Sequence, residues 1–446
     1  MALGVLDRLR QVACGPTESH LSAAGLDSNM RRLAIFGLGY VGREVASLAL
    51  EREFDVVGID TDPAVVESAR EGETVRDGSS DRFEATTDGG SAVEDADGIV
   101  VTVPTPLDSS YSVDLSAIEG VADVIATGLS PDPRGTLVVL ESTIPPGTVA
   151  DIVVPRLQAA GYEIGDDVFL AHVPERIDPG NDEWLLAEIP RVAGARTDRG
   201  LERAVSFYDR LLDADIHPVS STEVAAASKI IENAYRDINI AFVNEVALTL
   251  DELQIDASEA LDAADTKPFG FTRFSPGAGV GGHCIPIDPY FLIERAASNG
   301  HNSRFLKAAR EVNDRMPAYI AERTVDTLVR GGTLPQEATV LLLGKAFKPN
   351  VSDTRNSPYF GIRTKLESYH TSIETYDPTL PDESTVDSPY QEVDAVVLVT
   401  DHDEFRTLDL RRMSDSGVDI LIDGRNVFSP EKARSAGLTY VGVGRS

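Results

Sequence analysis

Short apolar runs, each followed by a stretch of helical periodicity, recur along the chain from residue 33 onward. The runs Leu33 to Phe36, Asp55 to Ile59, Gly98 to Val103, Thr136 to Leu140 and Val168 to His172 are apolar at nearly every position, as strands covered on both faces are. Their alternation with helix-length segments predicts a doubly wound parallel sheet. After Pro218 the period changes. Ser220 with Glu223 reads as a capping box, and Val224, Ile231, Ile238, Phe242 and Val246 then recur at helical spacing as far as Leu253. Such a helix spans roughly 45 to 50 Å, longer than one domain needs, and is expected to link two. Helical pattern with a Gly/Pro-rich interruption from Lys267 to Pro289 then continues to residue 330. Strands are predicted again at Thr339 to Leu343, Ser372 to Tyr376, Ala395 to Thr400 and Asp419 to Ile422. The fold class expected is α/β, with two Rossmann-like doubly wound parallel-sheet domains joined by an all-α central domain that contains the long connecting helix. The boundaries that follow are 1–30 for an N-terminal extension, expected to be mobile, 31–220 for the first sheet domain, 221–330 for the helical domain and 331–446 for the second sheet domain. Met30 is a candidate for the true start.

Composition narrows the partners. Hydrophobic residues make up 42% of the 446 positions, which is enough for packed cores and excludes a wholly disordered chain. Acidic residues outnumber basic ones 73 to 40, giving a formal charge of -33. A surface so charged repels nucleic acid and anionic lipid, so neither is expected as a partner. A polyphosphate is repelled as well unless backbone dipoles and a few placed cations overcome the field. The acidic surplus runs through the whole sequence with no single acidic tail, which suggests a halophilic protein. No apolar run of membrane-spanning length and no signal-peptide pattern is present, so a cytoplasmic location is expected. The two cysteines, Cys14 and Cys284, stand in unrelated contexts and form no disulfide framework.

The run Gly37-Leu-Gly39-Tyr40-Val41-Gly42 joins the first predicted strand to a helix. Its first glycine permits a tight turn, its second lets a pyrophosphate approach the backbone, and its third lets helix and strand pack closely. The second strand ends in Asp60, at the spacing where a carboxylate binds ribose hydroxyls, and Asp60 with Asp62 would repel a 2′-phosphate. NAD is therefore favoured over NADP. Pro104 and Thr105 end another strand and Glu141-Ser142-Thr143 the next, so both lie where an open parallel sheet binds ligands.

Gly279-Val-Gly281-Gly-His-Cys284-Ile-Pro-Ile-Asp288 is the most informative stretch. Glycines that expose amides around a thiol would favour its thiolate and make it a nucleophile, whereas a cysteine in a glycine turn also serves as a small core residue. The local sequence leaves both open. Lys229 and Asn233 lie four apart on the long helix, hence on one face, among alanines and isoleucines that suggest burial. Glu175 with Arg176 follows a strand end, either as site residues or as a surface pair.

Taken together these pieces resemble the UDP-glucose/GDP-mannose dehydrogenase family, over residues 31 to about 430. The resemblance rests on the glycine loop, on Glu141-Ser-Thr-Ile-Pro-Pro-Gly-Thr148, on the Lys229 to Asn233 helix, and on the Gly-Gly-His-Cys-Ile-Pro-Ile-Asp segment. Ala346-Phe-Lys-Pro349, Asp353-Thr-Arg355 and Asp423-Gly-Arg425-Asn complete it. It implies oxidation of a sugar alcohol to an acid with two NAD, through a thiohemiacetal and a thioester on Cys284. Lys229 and Asn233 match residues that stabilise negative charge on the substrate oxygen. Asp288 and Glu175 match carboxylates of proton transfer and water activation, and Thr143 a residue that positions the water. Gly281, Arg176, Lys348 and Arg425 are implied to meet the substrate and Arg355 the cofactor. The segment Phe269 to Pro276 matches a loop that holds the nucleotide diphosphate, with Arg273 often reaching a neighbouring subunit. The family is dimeric or larger, so a homo-oligomer is implied, with a role in making surface polysaccharide or glycoprotein. Pro174-Glu-Arg-Ile-Asp-Pro-Gly-Asn181 looks closer to the branch acting on UDP-N-acetylmannosamine or UDP-N-acetylglucosamine than to the UDP-glucose branch. The stretch from Glu71 to Thr87 is shorter than is usual in the family. Two other classes stay open: a reductase making a single hydride transfer with Cys284 as packing, and a non-catalytic sugar-nucleotide or NAD-binding module.

Overall fold

β1 (Arg32–Phe36) lies inside the N-terminal sheet, paired in parallel with β2 (Asp55–Ile59) on one side and β4 (Gly98–Val101) on the other. The computed structural model describes residues 30–445 except 77, 79, 132, 134, 179 and 181–183, so the rest of the expected extension, Cys14, and Pro179 and Asn181 of the 174–181 run lie outside the described residues. Met30, assigned to that extension, is buried. The sheet adds β3 (Phe83–Thr86) beyond β2, then β5 (Thr136–Leu140), β6 (Val168–His172), β7 (Arg191–Ala195) and β8 (Ile216–Val219) beyond β4, in the order β3-β2-β1-β4-β5-β6-β7-β8. The order reverses between β1 and β4, which opens a crevice at the carboxyl ends of those strands. The strands read from the sequence are parallel throughout, and β7, which the sequence did not mark, runs antiparallel to β6. β4 also ends two residues early. Thr102 still donates to Phe36 O, but Pro104 has no N–H to continue the ladder.

In the C-terminal sheet, β9 (Thr339–Leu343), β10 (Ser372–Tyr376), β11 (Ala395–Leu398), β12 (Ile420–Asp423) and β13 (Thr439–Gly442) are all parallel, in the order β10-β9-β11-β12-β13. Its switch point lies between β9 and β11, and the loops leaving these strands hold Lys348 and Asp401.

Between the sheets runs a 31-residue helix, Thr222–Glu252. Its cap is Ser221, whose hydroxyl accepts from Val224 N at 3.3 Å, one residue later than the sequence suggested. Small and polar residues form its buried side: Ala225, Ala226, Lys229, Asn233, Asp237 and Ala241 among them. This corrects the stripe read from the sequence, since Val224, Ile231 and Phe242 are 44%, 57% and 56% exposed. Short side chains let it approach the helices Asp288–Ser298 and Arg304–Gly331, and buried polar contacts then fix the register. Asn244 donates to Asn313 Oδ1 at 2.9 Å, and Asp237 accepts from Arg310 at 2.5 Å and from Asn313 at 2.8 Å. One apolar cluster covers each face of the N-terminal sheet, and a third joins both long helices to the C-terminal sheet.

Candidate active site

The three glycines of the first turn behave differently. Gly37 has φ +89°, and a Cβ there would lie 3.0 Å from Thr102 O. A Cβ on Gly42 would fall 1.8 Å from Gly37 O, so this glycine is required by packing of the turn against its own helix. Gly39 has nothing within 4 Å of such a Cβ and caps the helix Tyr40–Glu51 without a side-chain bond. Open amides at a helix start are what a pyrophosphate requires. Asp60 accepts from Leu38 N at 2.8 Å, so the strand-end carboxylate also braces the glycine loop. Gly39, Tyr40, Val41, Asp60, Pro104, Thr105 and Thr143 line one cavity of about 410 Å³. Thr105 Oγ donates to Thr143 O at 2.7 Å and Ser142 Oγ to Val103 O at 2.7 Å, tying two strand ends into one wall. These residues fit a nicotinamide dinucleotide, and the carboxylate of Asp60 disfavours a 2′-phosphate.

A second cavity, of about 420 Å³, lies between the long helix, the cysteine loop and the C-terminal domain. Arg176, Lys229, Asn233, Gly281, Lys348 and Arg425 all face it. Cys284, His283, Ile177 and Arg355 line both cavities, so the thiol stands on their common wall. Glu175, Asp288 and Thr143 face it from the dinucleotide side.

The cysteine loop is held by close backbone packing. A Cβ on Gly281 would lie 2.8 Å from Phe347 Cβ, and one on Gly282, at φ +89°, 2.8 Å from the Phe347 ring. Gly282 N donates to Arg355 O at 2.9 Å, and Asn356 donates to Gly282 O at 3.0 Å. The glycines thus seat the C-terminal domain on the loop, and the Gly282 amide, expected to face a ligand, is used by the protein. Cys284 O accepts from Asp288 N at 2.9 Å, the turn that starts the helix Asp288–Ser298.

Burial dominates the charges of the site. Glu175 is pushed up to about 7 chiefly by desolvation, with Lys229 and Arg191 opposing and Glu141 and Asp288 adding. Desolvation also raises Asp288 to about 6, against Lys229 and the Asn233 amide, which donates to its Oδ2 at 2.6 Å. Burial raises Cys284 to about 11, with Lys229 and Arg355 opposing and both carboxylates adding. This corrects the expectation of a thiol poised as thiolate: the sulfur is protonated at neutral pH and needs a base.

Some predicted residues stand elsewhere. Phe269 is 70% exposed, and Arg273 pairs with Asp262 at 2.9 Å, and neither lines the second cavity. Arg176 pairs with Glu232 of the long helix at 2.6 Å, and Lys348 with Asp178 at 2.7 Å. Sequence reasoning missed Glu232, Asp178 and Asp401 in the second cavity, and Arg191 beside Glu175. Asp178 and Glu232 stand inside the 174–181 run and the Lys229 to Asn233 helix, where their neighbours drew the assignment, and nothing in the local sequence marks Asp401 or a buried arginine.

A nucleotide-type sheet, a glycine turn ending in an open helix start, and a half-buried cysteine on the wall between two cavities define a dinucleotide-dependent oxidoreductase. Models of the UDP-glucose/GDP-mannose dehydrogenase family match the chain in three successive parts: the NAD binding domain over residues 31–212, the central domain over 223–315 and the UDP binding domain over 341–430. The chain is 33% identical to a UDP-N-acetyl-D-mannosamine dehydrogenase of Methanococcus maripaludis, over 93% of this chain and 97% of that protein. It is 33% identical to a UDP-N-acetyl-D-glucosamine 6-dehydrogenase of Pseudomonas aeruginosa, over 84% of this chain and 92% of that one. The solved structure of a UDP-D-ManNAc dehydrogenase from Pyrococcus horikoshii superposes with a TM-score of 0.85 at 32% identity, covering 93% of this chain and 99% of that one. The chain belongs to the UDP-glucose/GDP-mannose dehydrogenase family.

Proposed function

We propose that the chain oxidises the C6 hydroxyl of a UDP-sugar to the carboxylate with two NAD, and that the sugar is UDP-N-acetylmannosamine or UDP-N-acetylglucosamine. The names of the similar enzymes support the substrate class. The observation that carries the chemistry is Cys284 on the wall shared by the two cavities.

NAD, when bound along Gly37 to Gly42, Asp60 and Thr105, supplies the two-electron acceptor for each oxidation. Lys229 is 5% exposed and offsets negative charge that develops on the C6 oxygen as the hydroxyl proton passes to a carboxylate of the site. Cys284 then adds to the aldehyde carbon. As the sulfur–carbon bond forms, the carbonyl pair moves onto oxygen beside Lys229, and the thiol proton passes to Asp288 or Glu175. The tether keeps the aldehyde from escaping. Loss of the second electron pair leaves a thioester, and Glu175 takes a proton from the water that hydrolyses it while Thr143 helps to place that water. Both carboxyls rest near 6 to 7, where a base serves neutral pH.

Arg176, Lys348 and Arg425 would hold the nucleotide diphosphate against the field of the acidic surface. The exposed stripe Val224, Ile231 and Phe242 supports a homodimer across the long helix, with Arg273 serving the neighbouring subunit's cavity. None of the described helices is long and apolar enough to cross a membrane. A cytoplasmic location belongs to the same reading, as the reaction consumes two NAD per sugar.

A panel of UDP-N-acetylmannosamine, UDP-N-acetylglucosamine, UDP-glucose, UDP-galactose and GDP-mannose, scored in concentrated KCl, tests the reading. Two NADH per molecule of one of the first two are expected. One NADH per sugar, or near-normal acid formation by Cys284→Ala, would overturn it.

A further inference from the structure

Two buried residues outside the proposed chemistry, Glu141 and Arg191, flank Glu175, and a third, Tyr208, braces Glu141. Glu141 follows β5, Glu175 follows β6 and Arg191 opens β7, so neighbouring strands deliver all three. The side chains of Arg191 and Glu141 are 1% and 0% exposed, with Arg191 Nη2 3.9 Å from Glu141 Oε2. Tyr208, from the helix Asp198–Leu211, donates its hydroxyl to Glu141 Oε1. Both partners also grip the main chain at Glu175. Its N–H donates to Glu141 O at 3.2 Å, and Arg191 Nη1 donates to Pro174 O, one residue earlier, at 3.2 Å.

A buried ion pair adds little stability, because desolvation offsets the attraction, so its presence calls for another role. Glu141 and Glu175 both line the dinucleotide cavity, and each has a buried carboxylate oxygen without a hydrogen-bond partner. The groups acting on Glu175 are Lys229 from the long helix, Arg191 from β7, Glu141 from the end of β5 and Asp288 from the helix after the cysteine loop, with Tyr40 and Cys284 also in range. Lys229, Asp288 and Cys284 belong to the chemistry and Tyr40 to the cofactor cavity. Glu141 and Arg191 are the pair left to adjust the carboxyl.

We propose that Glu141, Arg191 and Tyr208 are positioning residues that hold Glu175 and set the pH at which it becomes a base. This rests on the reading of Glu175 as a base in UDP-sugar oxidation. The two charges act in opposite directions. Burial raises the Glu141 carboxyl as well, with the cation of Arg191 and the Tyr208 hydroxyl opposing; where Glu141 is ionised, Glu141→Gln removes a negative charge and leaves the positive charge of Arg191, so Glu175 gives up its proton more readily. Removing Arg191 as well withdraws the stabilising cation and reverses the change.

The test is the pH dependence of kcat/KM in the full chain, with NAD and the UDP-sugar preferred by the wild type. In Glu141→Gln the acid limb is expected to move down by roughly half to one pH unit, about a three- to tenfold gain relative to plateau at a pH on that limb. In Glu141→Gln/Arg191→Met it moves back up. Tyr208→Phe removes only the donor that favours ionised Glu141 and shifts the limb down by less. A merely structural role lowers the plateau in all three without ordering the limbs. An unmoved or raised limb in Glu141→Gln overturns the inference, and if that variant does not fold, Tyr208→Phe decides by the same criterion. A wild type that forms no NADH with any UDP-sugar instead sinks the underlying reading of function.

Discussion

Burial readies Glu175 as a base and also makes it a cost to folding. Its carboxyl rises from 4.5 to about 7 in the folded chain, so the folded state binds that proton more tightly than the unfolded state does. Below the unfolded value both states are protonated and the effect vanishes. As pH climbs toward 7 the unfolded chain ionises first, stability falls, and above 7 the loss is complete. Glu175→Gln is therefore expected to gain on the order of 2 to 3 kcal/mol at pH 8 and nothing at pH 4. Scanning fluorimetry at both pH values checks this, and an equal rise in melting temperature at each would sever the effect from ionisation. Turnover of the same variant should fall by orders of magnitude, since the wild-type rate is expected to rise between about pH 6 and 7 as the carboxyls at 175 and 288 lose their protons. Cys284 shows a limit of motif reading at this scale. Its spacing among glycines suggested an amide-rich setting, but Gly282 N is bonded to Arg355 O, and burial rather than amide dipoles sets the thiol.

At the scale of elements, the cysteine loop depends on how tightly the C-terminal domain sits on it. Gly281→Ala would place a methyl group 2.8 Å from Phe347 Cβ and 3.0 Å from Asn356 O, both on the loop after β9. Neither is the end of a flexible chain, so the loops must separate. We expect kcat to drop at least tenfold while NAD affinity, set chiefly by the glycine turn after β1, stays within about twofold, a split that calorimetry and initial rates resolve. Apolar strands were legible because their residues are apolar at nearly every position: the limits of β2, β5, β6 and β9 agree with the sequence reading, as do those of the more polar β10. β7 and β8 were not legible. β7 opens with Arg191 and continues with small residues, and β8 holds Pro218, which an edge strand tolerates because no further ladder needs its N–H. The long helix was legible in existence but not in facing. A periodic apolar stripe marks a face that seeks cover, and in this helix alanine and buried polar residues already fill the face turned to the rest of the chain.

For the whole molecule, that uncovered stripe and the charge balance make separate predictions. Ile231→Glu with Phe242→Glu is expected to shift the protein to a monomer in light scattering with its melting temperature nearly unchanged, since both side chains are more than half exposed in the single chain. A native-sized oligomer from the double variant would place the interface elsewhere. The net charge of -33 acts on the fold at longer range. Local ion pairs already engage cations such as Arg52 with Asp213, Arg156 with Glu119 and Arg199 with Asp166, so added salt does not merely break attractions; it screens the larger surplus of acid against acid. The screening length falls from about 10 Å at 0.1 M to about 3 Å at 1 M, and most of that change comes at the low end. Melting temperature should therefore climb steeply up to roughly 0.5 M KCl and flatten beyond it, with sodium chloride doing nearly as well at equal ionic strength. If the rise instead began only above 1 M and sulfate far exceeded chloride, exclusion of salt from apolar surface would be the cause, and the acidic surface would lose its part in stability.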